Sequence, residues 1–223
     1  IIMPSNSEYV ALAKSAFDQV SSLLAEEPDA PNWEYVTEVD ACAMYRRIAA
    51  EEDNASGIYT VRTMANFDFP AQEIFDFIWN LDNRKKFDAY INTLEVAVDI
   101  KDELEDPVKA CDVLYACFSM PFPISARDFV HIRAWKEHEG GFLTSAKSTT
   151  HEKYPETGNV RGSIDVDGFL IKPNPKDPQK STVNYIARVD PKGSIPSFAV
   201  NLANRKVPQT LSDIRKAITA SKK

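Results

Sequence analysis

The side chains that could do chemistry are few and scattered. The histidines are His131, His138 and His151. His131 and His151 fall in consecutive strand candidates and could approach each other, but a metal site needs a third ligand and none stands at a suitable local spacing. Cys111 and Cys117 lie in an apolar strand and read as core thiols, not as nucleophiles of a Cys–His pair. His131 with Asp165 is the one general acid–base pair that can be named. Arg84 and Asp88 stand four apart on a predicted helix, the spacing of a surface ion pair worth a few tenths of a kcal/mol. Arg133 is stranger. It shares one parity of "DFVHIRAW" with Phe129, His131 and Trp135, while Val130, Ile132 and Ala134 take the other. If the odd parity faces inward, Arg133 is a buried cation and needs a partner, because an unpaired buried charge is costly. If the even parity faces inward, Arg133 is exposed and the aliphatic residues are core. Alternation alone favours the second reading.

The sequence holds no G-x-S-x-G, H-E-x-x-H, P-loop or G-x-G-x-x-G pattern, so neither a metal nor a cofactor is expected. Its 223 residues, 43% hydrophobic and 26% charged, suit an ordinary globular protein. A net charge of -7 argues against a general nucleic-acid binder. The charge is uneven: positions 201–223 carry six basic residues against Asp213, and 95–106 carry six acids against Lys101. Solvated faces are the plain reading of both. Three cysteines without a C-x-x-C pair speak against a disulfide framework and for a reducing, cytoplasmic setting. No apolar run approaches a membrane span, and Ile1-Ile2-Met3 is too short for a signal sequence. The lack of an initiator methionine suits a piece cut from a longer chain.

These residues need elements to position them. Val10, Ala13, Phe17, Val20 and Leu24 step by three and four, which predicts an amphipathic helix over 7–27, ended by Pro28 and Pro31. "WEYVTEV", "ACAMYRRIAA" and "GIYTVRTMANF" predict three antiparallel strands. Ile74, Phe75, Ile78 and Leu81 share a helical face behind Pro70, placed at the first helical position. "TLEVAVDI", "CDVLYACFSM", "DFVHIRAWKE", "GFLTSAKSTTHE", "GNVRGSIDVDGFLIK" and "STVNYIARVD" predict six more strands. A last helix begins near Pro196 with the stripe Val200, Ala203, Val207, Leu211 and Ile214, and Pro208 should kink it or remove a hydrogen bond. Antiparallel strands flanked by helices make an α+β layout. A sheet of about nine strands curls. The closing helix can fill the inner face of that curl or merely cover it, and periodicity does not separate the two.

Three segments in this order carry a family resemblance. "PFPISARDFVHIR" is similar to the Pro-x-Pro-x-Ser-x-Arg-Asp-Phe/Tyr-Val-x-x-Arg segment of START domains, the steroidogenic-acute-regulatory-protein-related lipid transfer family. "IWNLDNRKKFD" resembles that family's short helices, and "DPKGSIPSFAVNLANRKVP" the start of its C-terminal lid. The resemblance covers nearly the whole chain and implies a single domain over 1–223 with a helix-grip fold. In that fold a curved antiparallel sheet surrounds a hydrophobic tunnel covered by the C-terminal helix. It implies a monomeric lipid carrier, not an enzyme, holding one lipid and exchanging it by transient contact with a membrane. A phospholipid is the first expectation, with sterol or ceramide as alternatives. A lipid-sensing regulatory module and, further off, a cyclase- or hydratase-type enzyme are the competing readings.

The resemblance also assigns residues. Met120, Phe122 and Ile124 become an exposed membrane-facing gate in a loop opposite the lid. Arg84, Asp88 and Tyr90 fall at headgroup positions, Phe118 and Phe129 on the tunnel wall beside His131, and Phe198 and Leu202 on the lid. Arg133 falls at a buried arginine of sterol-type members, whose acidic partner would lie near Ala116 or Cys117 and is missing. Ala116 replaces a tryptophan of the phosphatidylcholine-binding members, and Val207 a tyrosine of the ceramide-binding ones. A phosphate-contacting amide would fall at Ile164 or one position on, at Asp165, where an acid would repel phosphate.

Overall fold

Ser5 and Glu8 start the first helix reciprocally: the Ser5 hydroxyl accepts from the Glu8 N–H, and the Glu8 carboxylate accepts from the Ser5 N–H. The computed structural model describes residues 4–48, 58–120, 124–156, 158–193 and 197–222, the last stretch by its backbone alone over 197–208. That first helix, α1, spans Asn6–Ala25. Three strands follow, β1 (Trp33–Val39), β2 (Cys42–Arg47) and β3 (Val61–Phe67). Two short helices come next, α2 (Ala71–Trp79) and α3 (Arg84–Phe87), joined by a 3-10 turn over Leu81–Asn83. Pro70 caps α2 from just outside rather than occupying its first position; either place forfeits no hydrogen bond.

The remaining strands are β4 (Ile91–Ile100), β5 (Ala110–Phe118), β6 (Arg127–His138), β7 (Gly141–Ser148), β8 (Val160–Arg161), β9 (Ser163–Asn174) and β10 (Asp177–Asp190). Among the described residues they form one ten-stranded sheet in the order β1-β2-β3-β10-β9-β7-β6-β5-β4. β8 lies off this path, parallel to β6. It is the strand that the sequence reading merged with β9. Gly162 separates the two, and the Phe129 ring occupies the space a Cβ there would need.

Helix α4 (Ser197–Ser221) closes the chain and runs through Pro208 without ending there. One missing hydrogen bond does not end a helix whose following turns are pinned by Leu211, Ile214 and Ile218, all essentially inaccessible.

Both faces of the sheet are covered. Under α1, Phe17 and Val20 pack with Val113, Val130, Ile132, Ala134 and Leu143. On the opposite face, Ile74 and Phe75 of α2 and Leu211, Ile214 and Ile218 of α4 pack with Phe67, Phe169, Ile171 and Val183. The question posed by β6 therefore has two answers at once. The even-parity residues are core beneath α1, and the odd-parity residues also face inward, toward a different interior.

Candidate functional site

That second interior is a cavity of about 180 Å³. Its wall draws on α2, α3, β4, β5, β6, β7, β9 and β10, so the sheet curls around it, and α4 adds to the cover on the inner face. Most of the wall is apolar, with Ile78, Leu81, Ile91, Leu94, Leu114, Ala116, Phe118 and Phe129 among its members. The period of two places them: Leu114, Ala116 and Phe118 alternate out of β5, and Phe129, His131 and Arg133 out of β6.

Arg133 has its acid. Asp112 lies directly opposite in the β5–β6 register, ahead of Ala116 and Cys117, where it was expected. Arg133 Nε donates to Asp112 Oδ1 at 3.1 Å and Nη2 to Oδ2 at 2.6 Å. The third guanidinium nitrogen, Nη1, donates to the Trp79 carbonyl at 2.7 Å, and the guanidinium carbon lies 3.7 Å from the Trp79 ring centroid. Burial raises the Asp112 pKa against the pull of the guanidinium. This pair satisfies itself and leaves little for a ligand.

The polar groups left to a ligand lie elsewhere on the wall. Arg84 Nη2 donates to Asp88 at 3.1 Å, while its Nε is buried with no protein partner. His131 Nδ1 and Ser145 Oγ are buried and unpaired in the same way. Burial, with the nearby charges of Arg84 and Arg133, pushes the His131 pKa down to about 3, so its ring is neutral at physiological pH. Asp167 accepts a 2.7 Å hydrogen bond from Tyr185 Oη, and Tyr185 stacks on Phe169 at 4.5 Å. Burial raises the Asp167 carboxyl to about 6, against the pull of Tyr185 and Arg84.

Of the residues singled out in the sequence, Arg84, Ala116, Phe118, Phe129, His131, Arg133 and Ile164 all line this cavity. Asp88 stands behind Arg84, and the Tyr90 N–H donates to its carboxylate; neither residue reaches the wall. Asp165 is turned away, bonded to Ser163 Oγ and Arg188 Nε at 3.3 Å each, so it does not meet His131 as an acid–base partner. The cause is a bulge: Arg188 pairs with Val166 and Val189 with Ile164, leaving Asp165 as the extra residue. The bulge inverts the parity and brings Asp167 inward. Asp112, Asp167, Tyr185 and Trp79 are the wall and support residues that sequence reasoning missed.

The gate differs from expectation. Ile124 is buried at 9% exposure, not exposed, and Met120 is half-buried. Phe122 and the side chains of Phe198, Leu202 and Val207 lie outside the described residues. Arg127, 3% exposed, donates to the carbonyls of Ser125, Pro191 and Lys192, which ties the loop before β6 to the segment entering α4. Asp128 beside it pairs with Arg161 at 2.8 Å.

Among the described residues, no group of His, Cys, Asp and Glu is spaced to hold a metal, and no helix is long and apolar enough to cross a membrane. Burial raises the Cys111 thiol to about 12 and also raises Cys117, which keeps both as thiols.

Comparison with known proteins places this architecture. The chain is 29% identical to START domain-containing protein 10 of Mus musculus over 153 residues, which is 67% of this chain and 49% of that protein. The chain thus spans about half the length of that relative. It is 28% identical to the phosphatidylcholine transfer protein of Bos taurus over 198 residues, 86% of each chain. Its fold matches the crystal structure of human STARD10 with a TM-score of 0.73 at 20% identity, covering 98% of this chain and 81% of that one. It matches human StAR-related lipid transfer protein 5 with a TM-score of 0.75 at 20% identity, covering 96% and 99%. Residues 14–223 match the family described as START domain, and the chain belongs to that family.

Proposed function

We propose that this chain binds one lipid in the cavity, a phospholipid first of all, and exchanges it at a membrane surface. The observation that carries the reading is the wall itself: a largely apolar interior with a few polar groups, Arg84, His131 and Asp167 among them. Apolar burial supplies the affinity, at about 0.8 kcal/mol for each methylene taken from water. The polar groups choose the lipid, because a buried polar group left unpaired is penalised. The similarity to a phosphatidylcholine transfer protein supports a phospholipid over a sterol or ceramide. At about 180 Å³ the cavity has room for a headgroup but not for two acyl chains, so loading requires α4 or the loop before β6 to move outward.

On this reading the chain acts as a carrier, not a catalyst. A histidine held neutral down to about pH 3 is a poor base, and its expected acid, Asp165, faces Arg188. Native mass spectrometry of the purified chain after incubation with mixed liposomes should find one lipid per chain, and labelled lipid should pass from donor to acceptor vesicles when the chain is added. A chain that takes up no lipid overturns the proposal. Uptake without transfer favours a sensing module.

A further inference from the structure

The charges facing the cavity do not form a general anion site. Arg133 is closed on Asp112 and Trp79, and His131 is neutral. Among the described residues, that leaves one cation and one anion to meet a ligand: Arg84 from α3 and Asp167 from β9. The two are close enough for the Arg84 charge to be felt at the Asp167 carboxyl. Among the described residues, Tyr185 is the one hydrogen-bond partner of that carboxyl. A carboxylate in a dry site takes more than one donor to satisfy.

We propose that Asp167 makes this cavity prefer a zwitterionic phospholipid whose headgroup ends in a primary ammonium over one whose ammonium is fully methylated. The inference rests on the lipid-carrier reading of the same site. A primary ammonium brings Asp167 both a positive charge and N–H donors, and charge-assisted hydrogen bonds are the strong ones. Its phosphate is left for Arg84. A quaternary ammonium has no N–H to give and is held by open aromatic faces instead. Among the described residues those faces are scarce. Arg133 covers a face of Trp79 at 3.7 Å, Phe118 and Phe129 meet edge to face, and Tyr185 is stacked on Phe169. Alanine stands at position 116, where a larger ring could have completed a cage. A headgroup with net negative charge would leave Asp167 facing an anion.

The test loads the purified chain from vesicles holding equal amounts of ethanolamine and choline phospholipids with identical acyl chains, and reads the bound species by native mass spectrometry. The ethanolamine lipid should lead by roughly tenfold, the worth of one charge-assisted hydrogen bond. Asp167→Asn should bring the ratio close to one while total lipid uptake persists. If that variant does not fold, the wild-type chain still gives an answer. Lowering the pH from 7.5 to 5 leaves the charges of both headgroups unchanged but protonates Asp167, whose pKa is about 6, so the ethanolamine preference should shrink. Among the described residues, Arg84 with Asp88 behind it, Tyr185, His131 and the Arg133–Asp112 pair are other charged or titratable groups on this wall or against it. His131, lowered to about 3, and Tyr185, raised above its ordinary value by burial, keep their protonation across that window. Equal loading of the two lipids, or a choline preference, overturns the inference and leaves the carrier reading intact. A ratio that neither Asp167→Asn nor acid changes overturns it as well. Uptake of neither lipid overturns both.

Discussion

Arg133 and Asp112 face each other across β5 and β6 in direct register, joined by two hydrogen bonds of 3.1 and 2.6 Å. Their side chains are 15% and 12% exposed, and the Trp79 ring and carbonyl complete the guanidinium's surroundings. Removing one member strands the other. Asp112→Asn should destabilise the fold by about 3 kcal/mol, since it leaves a buried cation uncompensated. Replacing both, as in Asp112→Leu with Arg133→Met, should recover most of that loss. Urea denaturation of Asp112→Leu, Arg133→Met and the double variant measures the coupling, and strictly additive losses would deny it.

Arg84 makes the opposite kind of contact. Its ion pair with Asp88 is 37% and 23% exposed, within the range where such pairs contribute little. Arg84→Gln should therefore change stability by no more than about 0.5 kcal/mol. Phospholipid uptake should fall by roughly tenfold, because the phosphate loses its charged partner. Equilibrium denaturation and lipid uptake on the same preparation separate the effects. An unchanged uptake curve returns Arg84 to the role of a surface partner for Asp88.

Much of this was legible in the amino-acid order. Val10, Ala13, Phe17, Val20 and Leu24 are all buried on α1, and β1 occupies the span its alternation predicted. Arg84, His131 and Arg133, all singled out in the sequence, reach one wall. Three features were not legible, each for a physical reason. Alternation on β6 could not choose a buried face, because α1 covers one side and the cavity takes the other. The partner of Arg133 depends on the β5–β6 register, which belongs to a pair of strands and not to either alone. Asp167 was not singled out: with Ile164 inward, unbroken alternation would put 166 and 168 on the wall, and the bulge at Asp165 puts Asp167 there instead, which nothing in "SIDVDGF" marks. Ile124 adds a smaller lesson: an apolar residue in a Pro-rich loop reads as exposed unless its covering neighbours are known.

His131 predicts a pH dependence. Its folded-state pKa is lowered to about 3 from an unfolded value of 6.5. Between those values the unfolded chain binds a proton at this residue and the folded chain does not. Its contribution to stability is thus complete above pH 6.5 and is lost as the pH falls toward 3, with a slope approaching about 1.4 kcal/mol per pH unit. Asp167, raised to about 6, works in the other direction: protonation favours the folded state between its unfolded pKa and that value. His131→Gln should therefore flatten the acid loss of stability, and Asp167→Asn should steepen it. Denaturation midpoints at pH 7.5, 6 and 5 would show the two variants diverging in opposite senses, and parallel curves would refute the linkage.

Arg127 joins two segments that must separate if the cavity is to load past the loop before β6. Its guanidinium is inaccessible, and each of its three nitrogens donates to a carbonyl: Ser125 on one side, Pro191 and Lys192 on the other. No carboxylate shares the site's hydrogen bonds, so the geometry of the fork, more than its charge, holds the segments together. Arg127→Lys keeps the charge but offers one nitrogen in place of three. Loss of these bonds should cost about 2 kcal/mol. The effect should be local: amide hydrogens of 118–120 and 192–193 should exchange faster, while those under α1, such as Val130 and Ile132, keep their protection until global unfolding. If these segments form the gate, transfer of labelled lipid between vesicles should also accelerate, because the closed state has lost its tie and the open state has not. A variant with faster exchange at both segments but unchanged transfer would assign Arg127 to stability alone and move the opening to another part of the cover.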